Sequence, residues 1–340
     1  MTTQEHTEDP RGLAPLRIGT RASALALTQS GQVGEALVES TGREVELVHV
    51  STHGDIDRTS PLAQIGGTGV FVTAVRQALL DGTVDVVVHS CKDLPTAELE
   101  DIRMACIPPR EDPRDALCAR DGLSLDELPE GASVGTGSPR RAAQLLRARP
   151  DLDVRAIRGN VETRLARALG EDADLDAVVL AASGLQRVGR EAVISQLLPV
   201  EIMLPAPAQG ALAVEATVAA LDGATADTAP AWFGPRMAAV DDPVTRAAVT
   251  AERALLRALE AGCSAPVGAY GEILGDELRL RALAIRPDGS HVVEGSARVA
   301  FDPAEDAASG QDSLPFRLGT ELADDLLERG AGQILAEAKD

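Results

Sequence analysis

The sequence predicts an α/β protein: two lobes of alternating strand and helix, followed by a smaller α+β C-terminal domain. Three observations predict it. Short Val/Ile/Leu runs alternate with helical stretches, once from Leu16 and again from Ser133, as in parallel or mixed sheets covered by helices. Beyond an Ala/Asp/Thr/Gly/Pro-rich segment at 218–236, the pattern changes to one long amphipathic helix and then alternating strands. The 340 residues are enough for two or three cores, and with four Phe, one Tyr and one Trp those cores must be Ala/Val/Leu-rich.

In chain order, residues 1–14 are polar and acidic and read as a disordered leader. Leu16–Thr20 and Glu44–Val50 are expected strands around a helix over Ala24–Glu39. A polar, glycine-containing loop at 51–68 has the length of either a functional lid or a disordered segment. Its His53, Asp55 and Asp57 lack a fourth ligand nearby, so no metal site is expected. The helix Gly69–Leu80 and the strand Val84–Ser90 follow, then strands Ile102–Ile107 and Ala116–Ala119 around Pro108, Pro109 and Pro113. That proline cluster suggests a crossing between lobes. The second series is strand Ser133–Gly135, helix Pro139–Arg149, strand Val154–Ile157, helix Val161–Leu169 and strand Ala177–Leu180. Pro205 to Gln209 and the strand Ala211–Glu215 suggest the return crossing. Asp242-Pro243 should cap a helix reaching Glu260, Pro287-Asp288-Gly289 should turn a hairpin, and a last helix is expected near Gly319–Ala338. The expected division is 15–110 with 210–230 as lobe 1, 111–209 as lobe 2, and 231–340 as the C-terminal domain.

A formal charge of −21 argues against nucleic-acid or membrane-surface binding. Local arginine clusters still permit an anionic small ligand, because salt screens fields beyond roughly 8 Å. Cys91, Cys106, Cys118 and Cys263 form neither a C-x-x-C pair nor a metal-ligand spacing, which points to a reducing compartment. The N-terminus resembles no signal peptide and no run is long and apolar enough to span a membrane, so a cytoplasmic location is expected.

The chemistry gathers where strands end. Three valines lead into His89, Ser90, Cys91, Lys92 and Asp93 before Pro95 stops the run, and Lys92 is one of only two lysines. Gly135 to Arg141 turns from strand to helix with Ser138 as a candidate N-cap, Pro139 at N1, and Arg140 and Arg141 in the first turn. Exposed N–H groups, the helix dipole and two guanidinium groups favour an anion there. Arg158 and Arg164 repeat the theme at the next junction, as does Arg21 after the first strand. Guanidinium forks at strand C-terminal ends predict a ligand with several carboxylates or phosphates. Gly262 can end its helix in a left-handed conformation and expose Cys263, whose thiolate could be reactive or covalently anchored, or else simply packed. The other three cysteines sit in apolar strands and read as packing.

These segments together resemble the porphobilinogen deaminase (hydroxymethylbilane synthase) family over nearly the whole chain. The resemblance is carried by Ile18 to Ser23, Gly66 to Phe71, His89 to Pro95, Gly135 to Arg141, Arg158 to Asn160, Pro205 to Gly210, Ala251 to Arg253, and Gly262-Cys263. It implies two lobes like type II periplasmic binding proteins and a third domain with a cysteine loop. It also implies a dipyrromethane cofactor bound to Cys263 through a thioether, and head-to-tail addition of four porphobilinogen units with loss of ammonia. Water then releases hydroxymethylbilane. By the same resemblance Asp93 is the catalytic carboxylate. Ser90, Lys92, Thr136, Ser138, Arg140 and Arg141 bind the cofactor, while Arg21, Ser23, Gln29, Phe71, Arg158, Arg164 and Gln209 serve the substrate. A monomer is implied. Two departures stand out: Gln64 and Thr68 replace lid lysines common in the family, and Cys91 replaces an apolar residue. The alternative is a non-enzymatic small-anion-binding module on the same lobes. A hydrolase using Cys91 and His89 is disfavoured, because no oxyanion arrangement is identifiable and only their closeness in sequence supports it.

Overall fold

The computed structural model describes residues 14–50, 69–223, 233–262, 265–303 and 310–338. The expected lid at 51–68, the Phe71 side chain and Cys263 lie outside the described residues. The chain divides into two compact units, Met1–His89 with Glu98–Pro108 and Leu212–Asp241, and Ser90–Ala97 with Pro109–Ala211 and Asp242–Asp340.

The first unit holds strands β1 (Leu16–Thr20), β2 (Val45–His49), β3 (Val86–Ser90) and β4 (Ile102–Cys106), and takes a fifth strand from after the second series, Leu212–Thr217. Numbered in chain order, the strands of the second series are β5 (Asp115–Ala119), β6 (Ser133–Thr136), β7 (Asp153–Ala156), β8 (Ala177–Ala181) and β9 (Gln196–Leu197), so Leu212–Thr217 is β10. The first sheet runs β2-β1-β3-β10-β4, with β1 parallel to β2 and β3, and β10 antiparallel to β4. Against it packs the helix Ala24–Thr41, two residues longer than expected at its C-terminus. Ser23 starts this helix by accepting from the Ala26 N–H, and Gly42 ends it at φ +68. Its buried face, with Val33 and Leu37, meets Leu16, Ile18 and Val86.

The segment 218–236 corrects the linker expectation. Val218–Leu221 and Phe233–Ala238 are helices, and Phe233 and Met237 are buried with Ile18 and Leu37 in the first unit's core. Its composition is loop-like, but Phe233, with Met237 just beyond the segment, seats the second of these helices in that core.

The second sheet runs β7-β6-β8-β5-β9, with β6 parallel to β7 and β8, and β5 antiparallel to β8 and β9. Both sheets therefore follow one plan. β1 lies between β2 and β3 as β6 lies between β7 and β8, and the strand beyond is β10 in the first sheet and β5 in the second. β8 is buried at four of five positions, as a central strand covered on both faces must be. The same unit contains an antiparallel meander of β11 (Val267–Leu274), β12 (Glu277–Ile285) and β13 (Val292–Ala300). The helices Pro243–Ala258 and Leu314–Glu328 pack on it, and Gly319 permits their approach, since a Cβ there would overlap the Ala251 carbonyl oxygen. The expected single C-terminal helix is two, Leu314–Glu328 and Ala331–Glu337, broken at Gly330 with φ +101. The tip of the Pro287-Asp288-Gly289 hairpin lies on the helix Pro139–Ala148, where a Gly289 Cβ would stand 2.7 Å from the Ala143 oxygen.

Candidate functional site

Asp115, the first residue of β5, is wholly buried, and its carboxylate is the centre around which the strand-end arginines collect. Arg140 Nη1 lies 2.8 Å from one oxygen, and Arg141 Nη2 lies 2.7 Å from the other. Both arginines belong to the first turn of Pro139–Ala148 and are 3% and 6% exposed. Arg140 also donates to the Leu204 carbonyl at 2.6 Å, and Arg141 to the Val179 carbonyl at 3.3 Å. Burial alone would raise the Asp115 pKa. The charges of Arg140 and Arg141, with hydrogen bonds from Arg140 and Gln209, instead hold it well below the usual carboxylate range. Sequence reasoning missed Asp115. The available signal was the need of two adjacent arginines, in a first turn where the dipole opposes them, for a carboxylate.

Above this pair lies the turn Cys91–Asp93. Lys92 Nζ donates to Gln209 Oε1 at 3.2 Å. Burial lowers the Lys92 pKa to about 8, with Arg141 and Arg140 pushing the same way against Asp93 and Asp115. Asp93 itself is exposed on the turn. Arg164 lies within electrostatic range of both Asp93 and Arg141, and its pKa is lowered by burial first and Arg141 second. It is anchored by donating from Nε to the Gly159 carbonyl at 2.8 Å. Four cations, Lys92, Arg140, Arg141 and Arg164, thus face two carboxylates, Asp93 and Asp115. That excess of positive charge in an acidic chain suits an anionic ligand.

The junction beside them is built to stay open. Ser138 occupies the N-cap, as expected, yet makes no side-chain capping bond; its own N–H donates to Thr136 Oγ1 at 3.2 Å. The Ser138 hydroxyl and the first N–H groups of the helix are left available to an anion. Arg140 Nε is buried without a hydrogen-bond partner among the described residues. Arg158 is exposed beyond β7. Ser90, half-buried at the end of β3, begins the Lys92 turn.

Arg21, Ser23 and Gln29 belong to the first unit. Ser23 is spent as the cap of Ala24–Thr41, Gln29 is buried on that helix, and Arg21 is half-buried at its approach. Cys91, Cys106 and Cys118 are all buried, and burial pushes the Cys118 thiol up to about 12, which fits packing. His89 faces Glu215, its Nε2 3.2 Å away, rather than serving a Cys91 nucleophile. Among the described residues no metal-binding cluster exists. The helix before Cys263 ends differently from expectation: it stops at Ala258, and Glu260, not Gly262, takes the left-handed conformation at φ +48.

A family model described as porphobilinogen deaminase, dipyromethane cofactor binding domain, matches residues 16–222, and one for the porphobilinogen deaminase C-terminal domain matches 246–328. A porphobilinogen deaminase of Thermobifida fusca is 52% identical over 326 residues, covering 95% of this chain and 97% of that protein. Porphobilinogen deaminase 1 of Streptomyces coelicolor is 51% identical over 331 residues, covering 95% and 98%. Among solved structures, the aliphatic sulphonate binding protein SsuA of Escherichia coli aligns at TM-score 0.37 and 13% identity, over 74% of this chain and 71% of that one. The relatives decide for the enzyme over the binding module.

Proposed function

The chain belongs to the porphobilinogen deaminase family, and from that premise we propose how its own residues carry the reaction. The observation that carries the reading is the excess of cations around Asp93, assembled from Lys92, Arg140, Arg141 and Arg164. Porphobilinogen bears an acetate and a propionate, so substrate and dipyrromethane both present carboxylates that suit these donors. The buried Arg140 Nε and the uncommitted Ser138 hydroxyl support the same fit.

In this reading the dipyrromethane supplies the nucleophilic pyrrole carbon and the anchor on which the product is built. Cys263 holds it. Lys92, Ser90 and Ser138 orient its carboxylates, with Thr136 placing the Ser138 amide and Arg140 and Arg141 providing charge from beneath. Arg158 and Arg164 receive the substrate's carboxylates. Asp93 stands opposite the positive charge that develops on the substrate carbon as ammonia departs, and its ionised carboxylate stabilises that charge. The same carboxylate would accept the proton whose loss restores aromaticity to the attacking pyrrole once the new carbon–carbon bond has formed. Three domains, with the meander of β11 to β13 as the third, and a cytoplasmic monomer complete the proposal. No helix among the described residues is long and apolar enough to cross a membrane.

Intact-protein mass tests the anchor. Protein made where substrate exists should exceed its chain mass by two linked pyrroles, and Cys263→Ser should not. Asp93→Asn should keep the adduct and lose nearly all turnover; near-normal turnover would remove Asp93 from its assigned role.

A further inference from the structure

Gln209 is fully buried, and both ends of its amide are committed to groups of the protein. Nε2 donates to the Pro113 carbonyl at 2.7 Å and to Asp115 Oδ1 at 2.9 Å. Those two acceptors set the amide orientation, because the oxygen facing them would create two repulsions. Oε1 therefore points the other way and accepts from Lys92 Nζ at 3.2 Å and Arg141 Nη2 at 3.3 Å.

The backbone is fixed as firmly. Ala208 has φ +62, a left-handed conformation that a non-glycine residue keeps only when its surroundings hold it. They do: Ala208 N–H donates to Glu252 Oε2 at 2.5 Å, and the Gln209 carbonyl accepts from Arg110 Nε at 2.7 Å. Arg110 is itself paired with the fully buried Glu252 at 2.6 Å.

We propose that Gln209 is a positioning residue that holds the Lys92 ammonium in place through Oε1 and does not itself touch the substrate. This departs from the substrate contact that the family resemblance implies for it, and it rests on the reading that Lys92 grips a ligand carboxylate. The chemistry explains why an amide stands here. Lys92 ends a flexible stem, is repelled by Arg140 and Arg141, and is drawn by Asp93 and Asp115. A carboxylate at 209 would neutralise the ammonium and compete with the ligand. An amide oxygen fixes its position and leaves its full charge for the ligand.

The composition supplies the probe. Lys92 and Lys339 are the only lysines, so holoenzyme labelled with carbon-13 lysine gives two resolvable side-chain titrations by NMR. Gln209→Met keeps the volume and removes the acceptor. The Lys92 midpoint should fall by about half a unit or more, since a hydrogen bond to the charged form is lost. The kcat/KM for porphobilinogen should drop about tenfold, with its alkaline limb moving down alongside the midpoint. A merely structural role would move the melting temperature and leave that midpoint where it was. An unchanged Lys92 midpoint, or an unchanged kcat/KM, in a folded variant overturns the proposal. Should Gln209→Met fail to fold, Gln209→Asn, one methylene too short for Lys92, carries the same two outcomes. A wild-type protein that consumes no porphobilinogen would instead sink the functional reading, and the Lys92 titration would still judge Gln209 separately.

Discussion

Arg253 donates from Nη2 to the Pro95 carbonyl at 2.7 Å, and the same guanidinium reaches the Leu94 carbonyl at 3.0 Å and the Cys91 carbonyl at 3.4 Å. One side chain thus clasps the backbone on both sides of Lys92 and Asp93, from the helix Pro243–Ala258 that leads to Cys263. Arg253→Ala should cost about ten- to a hundredfold in kcat, as expected when a reacting group is displaced by about 1 Å. Arg253→Lys, able to make part of the clasp, should recover part of the rate. Steady-state kinetics beside thermal melts decide it: an unchanged kcat in Arg253→Ala would show that the turn keeps its shape unaided.

Asp115→Asn leaves two buried guanidinium groups without their carboxylate. Breaking a buried ion pair from one side typically costs about 3 kcal/mol or more, because an uncompensated charge remains in the interior. Urea denaturation at about pH 7 should register a loss of that order. A change under about 1 kcal/mol would mean that Gln209 and the carbonyls of Leu204 and Val179 carry the arginines by themselves.

The strands were legible because periodicity reports burial, and the helix starts because capping is local chemistry: Asp242 accepts from the Thr245 N–H, and Asn160 from the Thr163 N–H. What escaped was tertiary. Nothing near Asp115 in the sequence distinguishes it from Asp112 three residues earlier, one wholly buried and the other half-buried against Arg114. Arg140 and Arg141 were legible as anion binders, but not as charges already matched from inside by the protein. Segment 218–236 misled because its Ala, Asp, Thr, Gly and Pro content is loop-like, while Ala220, Leu221 and Phe233, with Met237 just beyond it, pack on the first unit's core. Glycine's tolerance of positive φ points to Gly262 as the left-handed residue, whereas the structure has it at Glu260.

Gly137 keeps the junction beside Arg164 clear. A Cβ there would stand 2.7 Å from the Ile157 carbonyl oxygen and 3.9 Å from both terminal nitrogens of Arg164. Backbone cannot yield as a flexible side chain can, so Gly137→Ala should displace the strand-to-helix turn and Arg164 with it. The expected result is a KM for porphobilinogen raised severalfold. A KM within error of wild type would detach Arg164 from substrate binding or show that the turn accommodates the methyl.

Glu215 in the first unit is 3% exposed and takes a bidentate grip from Arg76, at 2.8 and 2.6 Å, with His89 Nε2 3.2 Å away. Burial would raise its pKa; hydrogen bonds from Arg76 and His89, then their charges, bring it down to about 2. A carboxylate whose folded pKa is depressed stabilises the fold above its unfolded pKa of about 4.3, and that contribution disappears as pH falls through the folded value. The cluster should therefore contribute about 3 kcal/mol at neutral pH and about half of that near pH 3. Comparing wild type with Glu215→Gln by chemical denaturation at those two pH values isolates the contribution. The gap between the two proteins should narrow on acidification. A gap that is constant with pH would assign the cost of the variant to lost packing around Arg76 and not to the ionised carboxylate.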